Sequence, residues 1–86
     1  MVFVGVTGFD LERGATTLEV EEATVTRAMI RQAKQVIVVA DSTKVGTVSP
    51  ALICGASSVH VLVTDTDLPQ EMHDTIVTAG IQVIRA

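Results

Sequence analysis

The sequence predicts an α/β domain built on a parallel β-sheet with flanking helices, and three observations carry that expectation. Four apolar runs, at residues 2–6, 36–40, 59–63 and 81–84, are too continuous for half-solvated strands and read as strands covered on both faces. Two of the segments between them carry helical spacing. The composition agrees: 48% of residues are hydrophobic but only 2% aromatic, so the core must be assembled from Val, Ile, Leu and Ala, the residues of buried parallel strands.

Taken in order, Val2-Phe3-Val4-Gly5-Val6 is the first strand, and residues 7–17, rich in Gly, Thr and charge, read as a loop. A helix is expected over 18–33. Leu18, Val25 and Met29 share one face with Ile30 and Ala33 nearby, the acids Glu19, Glu21 and Glu22 crowd its start, and Arg27, Arg31 and Lys34 its end, as the helix dipole favours. The run at 36–40 stops at Asp41. A polar loop then leads to a short helix at 49–54, with Pro50 tolerated in its first turn and Gly55 ending it. After the strand at 59–63, Asp67 is placed to cap a helix through residue 79, with Gln70 three positions on, Pro69 in the first turn and Gly80 as its left-handed stop. The strand at 81–84 closes a β-α-β-α-β-α-β order, which right-handed crossovers turn into a parallel sheet with helices on its faces.

Eighty-six residues make one small domain. The net charge of −4 and six scattered basic residues exclude a nucleic-acid surface on these residues, so no DNA binding is expected of them. The single cysteine, Cys54, allows no disulfide and reads as a buried, inert thiol. His60 and His73 have no ligand partners at metal spacing, so no metal is expected, nor any cofactor. Gly5-x-x-Gly8 lacks the third glycine of a dinucleotide fingerprint, and Lys44-Val45-Gly46 is not a P-loop. No signal peptide or membrane span is present in the sequence, which makes the cytoplasm the expected location. An unpaired apolar first strand makes a homo-oligomer the expected state.

The polar residues capable of chemistry gather where strands should end, the usual ligand position in a parallel α/β sheet. Asp10 follows Gly8 beyond the first strand: a glycine there allows close backbone approach to a ligand, and the carboxylate can accept hydrogen bonds from sugar hydroxyls or satisfy its own turn. Glu22 alone reads as a carboxylate suited to a helix start. In Asp41-Ser42-Thr43-Lys44-Val45-Gly46, Lys44 offers a cation for a phosphate among hydroxyl and backbone donors, or is a solvated loop lysine.

The ordered set Gly5-Val6-Thr7-Gly8-Phe9-Asp10, Thr17, Glu22, Arg27-Ala28-Met29-Ile30, residues 40–46 and Leu62-Val63-Thr64-Asp65 resembles the C-terminal effector domain of DeoR-type bacterial transcriptional repressors over essentially the whole chain. The resemblance implies that residues 1–86 are the C-terminal part of a sugar-phosphate-sensing domain, with the DNA-binding domain and the first half of the sensing domain outside this chain. It also implies a phosphorylated sugar or polyol as effector, and a fold similar to ribose-5-phosphate isomerase, whose sugar-phosphate motifs fall here on Gly8, Asp10, Glu22, Asp41 and Lys44. Thr7 stands where the isomerase has an aspartate, and Arg13-Gly14-Ala15-Thr16 replaces its lysine-led glycine run. A non-enzymatic binding module is therefore expected, with two alternatives: an isomerase-like fragment using Glu22 as base, or an oligomerisation remnant.

Overall fold

A computed structural model describes all 86 residues. The chain runs β1 (Val2–Gly5), β2 (Gly8–Asp10), β3 (Gly14–Thr17), α1 (Val20–Gln32), β4 (Val36–Val39), β5 (Ala51–Cys54), β6 (Val61–Thr64), α2 (Gln70–Thr78) and β7 (Gln82–Arg85), with 3-10 turns at Ser42–Lys44 and Ala56–Ser58. The four apolar runs form one parallel sheet in the order β1-β4-β6-β7. The α/β class and the parallel sheet are as the sequence predicts.

The strand order has a topological consequence. Every connection steps the same way across the sheet, and right-handed crossovers then place every connecting element on the same face. Val4, Val38, Leu62 and Val83 are register partners on that face. They join Ala23 of α1, Ile76 of α2, and Phe9, Ala15 and Ile53 of the short strands in or against a single core cluster. The opposite face holds the rows Phe3, Ile37, Val61, Gln82 and Gly5, Val39, Val63, Ile84, which contain no charged residue. The chain covers it only in part: Ile37 and Val61 at its centre are buried, whereas Phe3 is 64% exposed, and Val39 and Ile84 each 42%. The expectation of helices on both faces is thus corrected to helices on one.

Two further expectations are overturned. Residues 7–17 are a hairpin and not a loop, because Gly8–Asp10 and Gly14–Thr17 pair antiparallel. Residues 49–54 are no helix, because Ala51–Cys54 pairs with β3, with Ala51 and Ile53 buried and Leu52 exposed. Together β2, β3 and β5 form a second, antiparallel sheet. Pro50 sits just before the strand, where its missing N–H removes no ladder bond.

The first helix presents a different face from the one expected. Ala23 is its buried residue and Ile30 packs on the core, while Leu18, Val25 and Met29 are 65%, 62% and 53% exposed. The small Ala23 lets the helix lie close to the sheets, and the Arg27 guanidinium, one turn on, donates to the Leu52 carbonyl at 2.8 Å. In α2 it is Pro69, not Asp67, that occupies the N-cap, with no side-chain cap. The Asp67 amide is instead held by Asp65 Oδ1 at 2.9 Å. Gly80 takes the left-handed conformation expected of it (φ +96°).

Candidate functional site

The hairpin and the loop after β4 are locked to each other. Phe9 forms a parallel bridge with Val45, and the Gly46 N–H donates to the Phe9 carbonyl at 2.7 Å. This brings the segment carrying Gly8 and Asp10 beside the loop carrying Lys44. Glu22 is not brought in: it is exposed on the first turn of α1, and no hydrogen bond or ion pair links it to the others.

Local geometry assigns structural work to several of these residues. Asp10 Oδ2 accepts from the amides of Glu12 and Arg13 at 3.1 and 2.8 Å, the turn-satisfying arrangement, which leaves Oδ1 unengaged. Gly8 is buried, and a Cβ there would lie 2.5 Å from both Thr16 Oγ1 and the Thr47 carbonyl. Its lack of a side chain serves close packing between β2, β3 and the Thr47–Ser49 segment. At that contact Thr16 Oγ1 donates to the Gly8 carbonyl and accepts from the Ser49 amide at 2.9 Å, and Thr7 Oγ1 meets Ser49 Oγ at 2.7 Å. This polar knot has no motif in the sequence; only the pairing of β3 with β5 exposes it.

The loop after β4 is internally satisfied. Asp41 Oδ1 accepts from the Thr43 amide at 3.0 Å and from the Thr43 hydroxyl, and Asp65 Oδ2 from the Ser42 amide at 2.9 Å. The Lys44, Val45, Gly46 and Thr47 amides donate to the carbonyls of Asp41, Ser42, Phe9 and Lys44. The expected backbone donors for a phosphate are therefore already committed, and the Lys44 ammonium is what the loop has to offer an anion. Lys44 is half-buried and has no ion-pair partner. The Ser42 amide, foremost among the bonds to Asp65, holds that carboxyl below the usual carboxylate range.

Two concavities lie nearby, each of about 230 Å³. One is an apolar cleft between the hairpin and α2, floored by the buried Phe9, Val45 and Ile76 and rimmed by Asp10, Gly46, Glu71 and Thr75. The other is a shallow crevice at the C-terminal ends of β4, β6 and β7, bordered by Asp41, Thr64 and Asp65. The hydroxyl of Thr64 is buried without a partner. Neither concavity is lined by a cationic side chain. Cys54, at the end of β5, is half-buried, and burial pushes its thiol up, so it stays protonated at neutral pH.

The polar loops of this α/β domain thus stand at the C-terminal ends of its parallel strands. The chain matches the family described as DeoR C terminal sensor domain over residues 1–66, and it belongs to that family. Its relatives include a protein of Escherichia coli O157:H7 named provisionally as an aga operon transcriptional repressor, 34% identical over 84 residues. The HTH-type transcriptional regulator GlpR of Haloferax volcanii is 30% identical over 84 residues, and the HTH-type transcriptional repressor GlcR of Bacillus subtilis 35% over 81. These alignments cover 98%, 98% and 94% of this chain but 31%, 33% and 31% of the relatives, so the chain spans about one-third of their length. No helix of the chain is long and apolar enough to cross a membrane.

Proposed function

We propose that these residues are the effector-sensing part of a DeoR-type transcriptional repressor, binding a phosphorylated sugar or polyol and passing the bound state to the rest of the regulator through a change in association. The observation that carries this reading is the junction of β2 with the loop after β4, in a chain of the sensor-domain family, which sets Asp10 beside the loop of Lys44. Lys44 takes the anionic end and the Asp10 carboxylate faces the hydroxyl end, while Gly8 and Asp41 hold the two segments in place through packing and turn bonds and Glu22 lies outside both concavities. A ligand that binds only the folded state raises the melting temperature with the logarithm of its concentration above Kd. Thermal melts against ribose 5-phosphate, glucose 6-phosphate and glycerol 3-phosphate are expected to show such a rise with at least one of them, and a flat response to all three contradicts the reading.

The domain binds without turning its ligand over. Glu22 is exposed and, unlike Asp10, lines neither concavity, so the two carboxyls share no pocket in which a base and an acid could converge on one carbon. Interconversion of ribose 5-phosphate and ribulose 5-phosphate above the buffer rate would contradict this. These residues also carry no DNA affinity of their own, and a salt-sensitive mobility shift at micromolar protein would overturn that statement.

Self-association of this domain uses the sheet face on which no helix packs. That face is uncharged and apolar but for Gln82, which suits a second copy of itself. Four strands ~4.8 Å apart and four residues long at ~3.3 Å each give it a plan area of roughly 250 Å², well short of the ~800 Å² per partner of a stable complex. The association is accordingly weak and concentration-dependent. Sedimentation equilibrium is expected to show a dimer forming in the high-micromolar range and lost in Val39→Asp; a strict monomer at millimolar concentration would refute it.

A further inference from the structure

We infer that the cleft between the β2–β3 hairpin and α2 holds the hydroxyl end of the effector, and that Glu71 and Thr75 of α2 determine which polyol fits. This deepens the sensor reading above and rests on it.

The argument begins with the helix. Residues 71, 72, 75 and 76 fall on one face of α2, at the i and i+4 spacing that stacks side chains. Ile76 is buried in the core, which fixes the rotation of the helix, so Glu71, Met72 and Thr75 must stand over the cleft. Across from them Gly46 adopts φ +90°, and a Cβ there would meet the Met72 methyl carbon at 3.4 Å. A side chain at 46 is thus disfavoured by backbone strain, and a glycine there leaves the mouth of the cleft open.

Volume and charge then select the occupant. About 230 Å³ holds roughly eight waters at ~30 Å³ each, and so a ligand portion of roughly that many heavy atoms, the size of a four- or five-carbon polyol. The apolar floor of Phe9, Val45 and Ile76 suits the C–H face of such a molecule. At the rim the available groups are acceptors: Asp10 Oδ1 is unengaged, the Glu71 carboxylate makes no hydrogen bond or ion pair, and Thr75 Oγ1, already donating to the Glu71 carbonyl at 2.9 Å, keeps a lone pair free. Acceptors call for hydroxyl donors. Two carboxylates and no cation repel a phosphate, which is therefore left outside, toward Lys44.

The test is an amide-resolved NMR titration of the 86-residue chain with ribose 5-phosphate and 2-deoxyribose 5-phosphate, repeated for Glu71→Gln, Thr75→Val and Lys44→Ala. Shifts are expected at residues 9–11, 45–46 and 71–76. Glu71→Gln should weaken ribose 5-phosphate at least fivefold while leaving the spectrum of the free protein otherwise unchanged, since Glu71 is exposed and unpaired. If Lys44→Ala weakens binding but Glu71→Gln and Thr75→Val do not, or if the shifts gather at the crevice of Asp41 and Asp65, this inference is overturned and the sensor reading stands. If neither probe shifts any residue, both fall.

Discussion

Replacing Gly8 by alanine separates two accounts of this residue. If the glycine is there for close approach of a ligand, Gly8→Ala spares the free protein; if it is there for the hairpin, the fold itself suffers. The added Cβ would lie 2.5 Å from Thr16 Oγ1, which can rotate, and 2.5 Å from the Thr47 carbonyl, which cannot without moving the loop. Rotating Thr16 breaks its bonds to the Gly8 carbonyl and the Ser49 amide, each worth about 0.5–1.5 kcal/mol. Overpacking against the carbonyl adds about 1–3 kcal/mol, for a loss of roughly 2–6 kcal/mol. A domain of this length has on the order of 4–13 kcal/mol to lose, and 1 kcal/mol moves its melting temperature by about 4–8 °C. Ligand-free thermal denaturation followed by far-UV circular dichroism should therefore show a drop of at least ~8 °C, up to failure to fold. A drop under ~3 °C would refute the packing account and return Gly8 to the ligand.

Further outcomes follow from the polar groups. Asp65, held low chiefly by the Ser42 amide, and Asp74, held low first by its hydrogen bond to His73 and then by Gln70, both have folded-state values below 3.8. Such groups stabilise the fold above the unfolded value and lose that contribution as pH falls through the folded one, so acid unfolding should steepen below about pH 4 and be less steep in Asp65→Asn. Thr64→Val removes a buried hydroxyl with no partner while keeping the shape, and should leave stability unchanged or raise it by up to ~2 kcal/mol in urea melts; a loss above ~1 kcal/mol would mean the hydroxyl has a partner. His60 Nδ1 accepts the Val36 amide at 2.9 Å, so His60→Ala should cost about 1 kcal/mol in the same melts, and no change would show that water replaces the ring.

The parallel sheet was legible because its strands announce themselves: Val36–Val39 and Val61–Thr64 are apolar runs that leave no other reading. The second sheet was not, because β2 and β3 are three or four residues long, with glycines and threonines among them, and β3 completes its pairing only with β5, some 35 residues further on. Ala51–Cys54 is apolar throughout, so its sequence carries no period-2 alternation, and a proline and a glycine at its ends suggested a short helix; the alternation shows only in its burial. On α1 the large residues Leu18, Val25 and Met29 suggested the buried face, whereas close packing against two sheets selected the small Ala23. For the site, the spacing of polar residues at strand ends pointed to Asp10 and the Lys44 loop, two segments that the Phe9–Val45 bridge sets side by side. That spacing gave no sign of the α2 wall, because Glu71 and Thr75 look like ordinary solvent-facing positions until the helix rotation is fixed by Ile76.

The most direct measurement of the sensing account is calorimetric titration of the wild-type chain and of Lys44→Ala with whichever sugar phosphate raises the melting temperature. Lys44 is the cation that the loop has free for an anion, and a charge-assisted hydrogen bond is worth roughly 1.5–3 kcal/mol, so the variant should bind about ten- to a hundredfold more weakly with an unchanged melting temperature in the absence of ligand. Equal affinity in the two proteins would contradict the account and leave Lys44 a solvated loop residue.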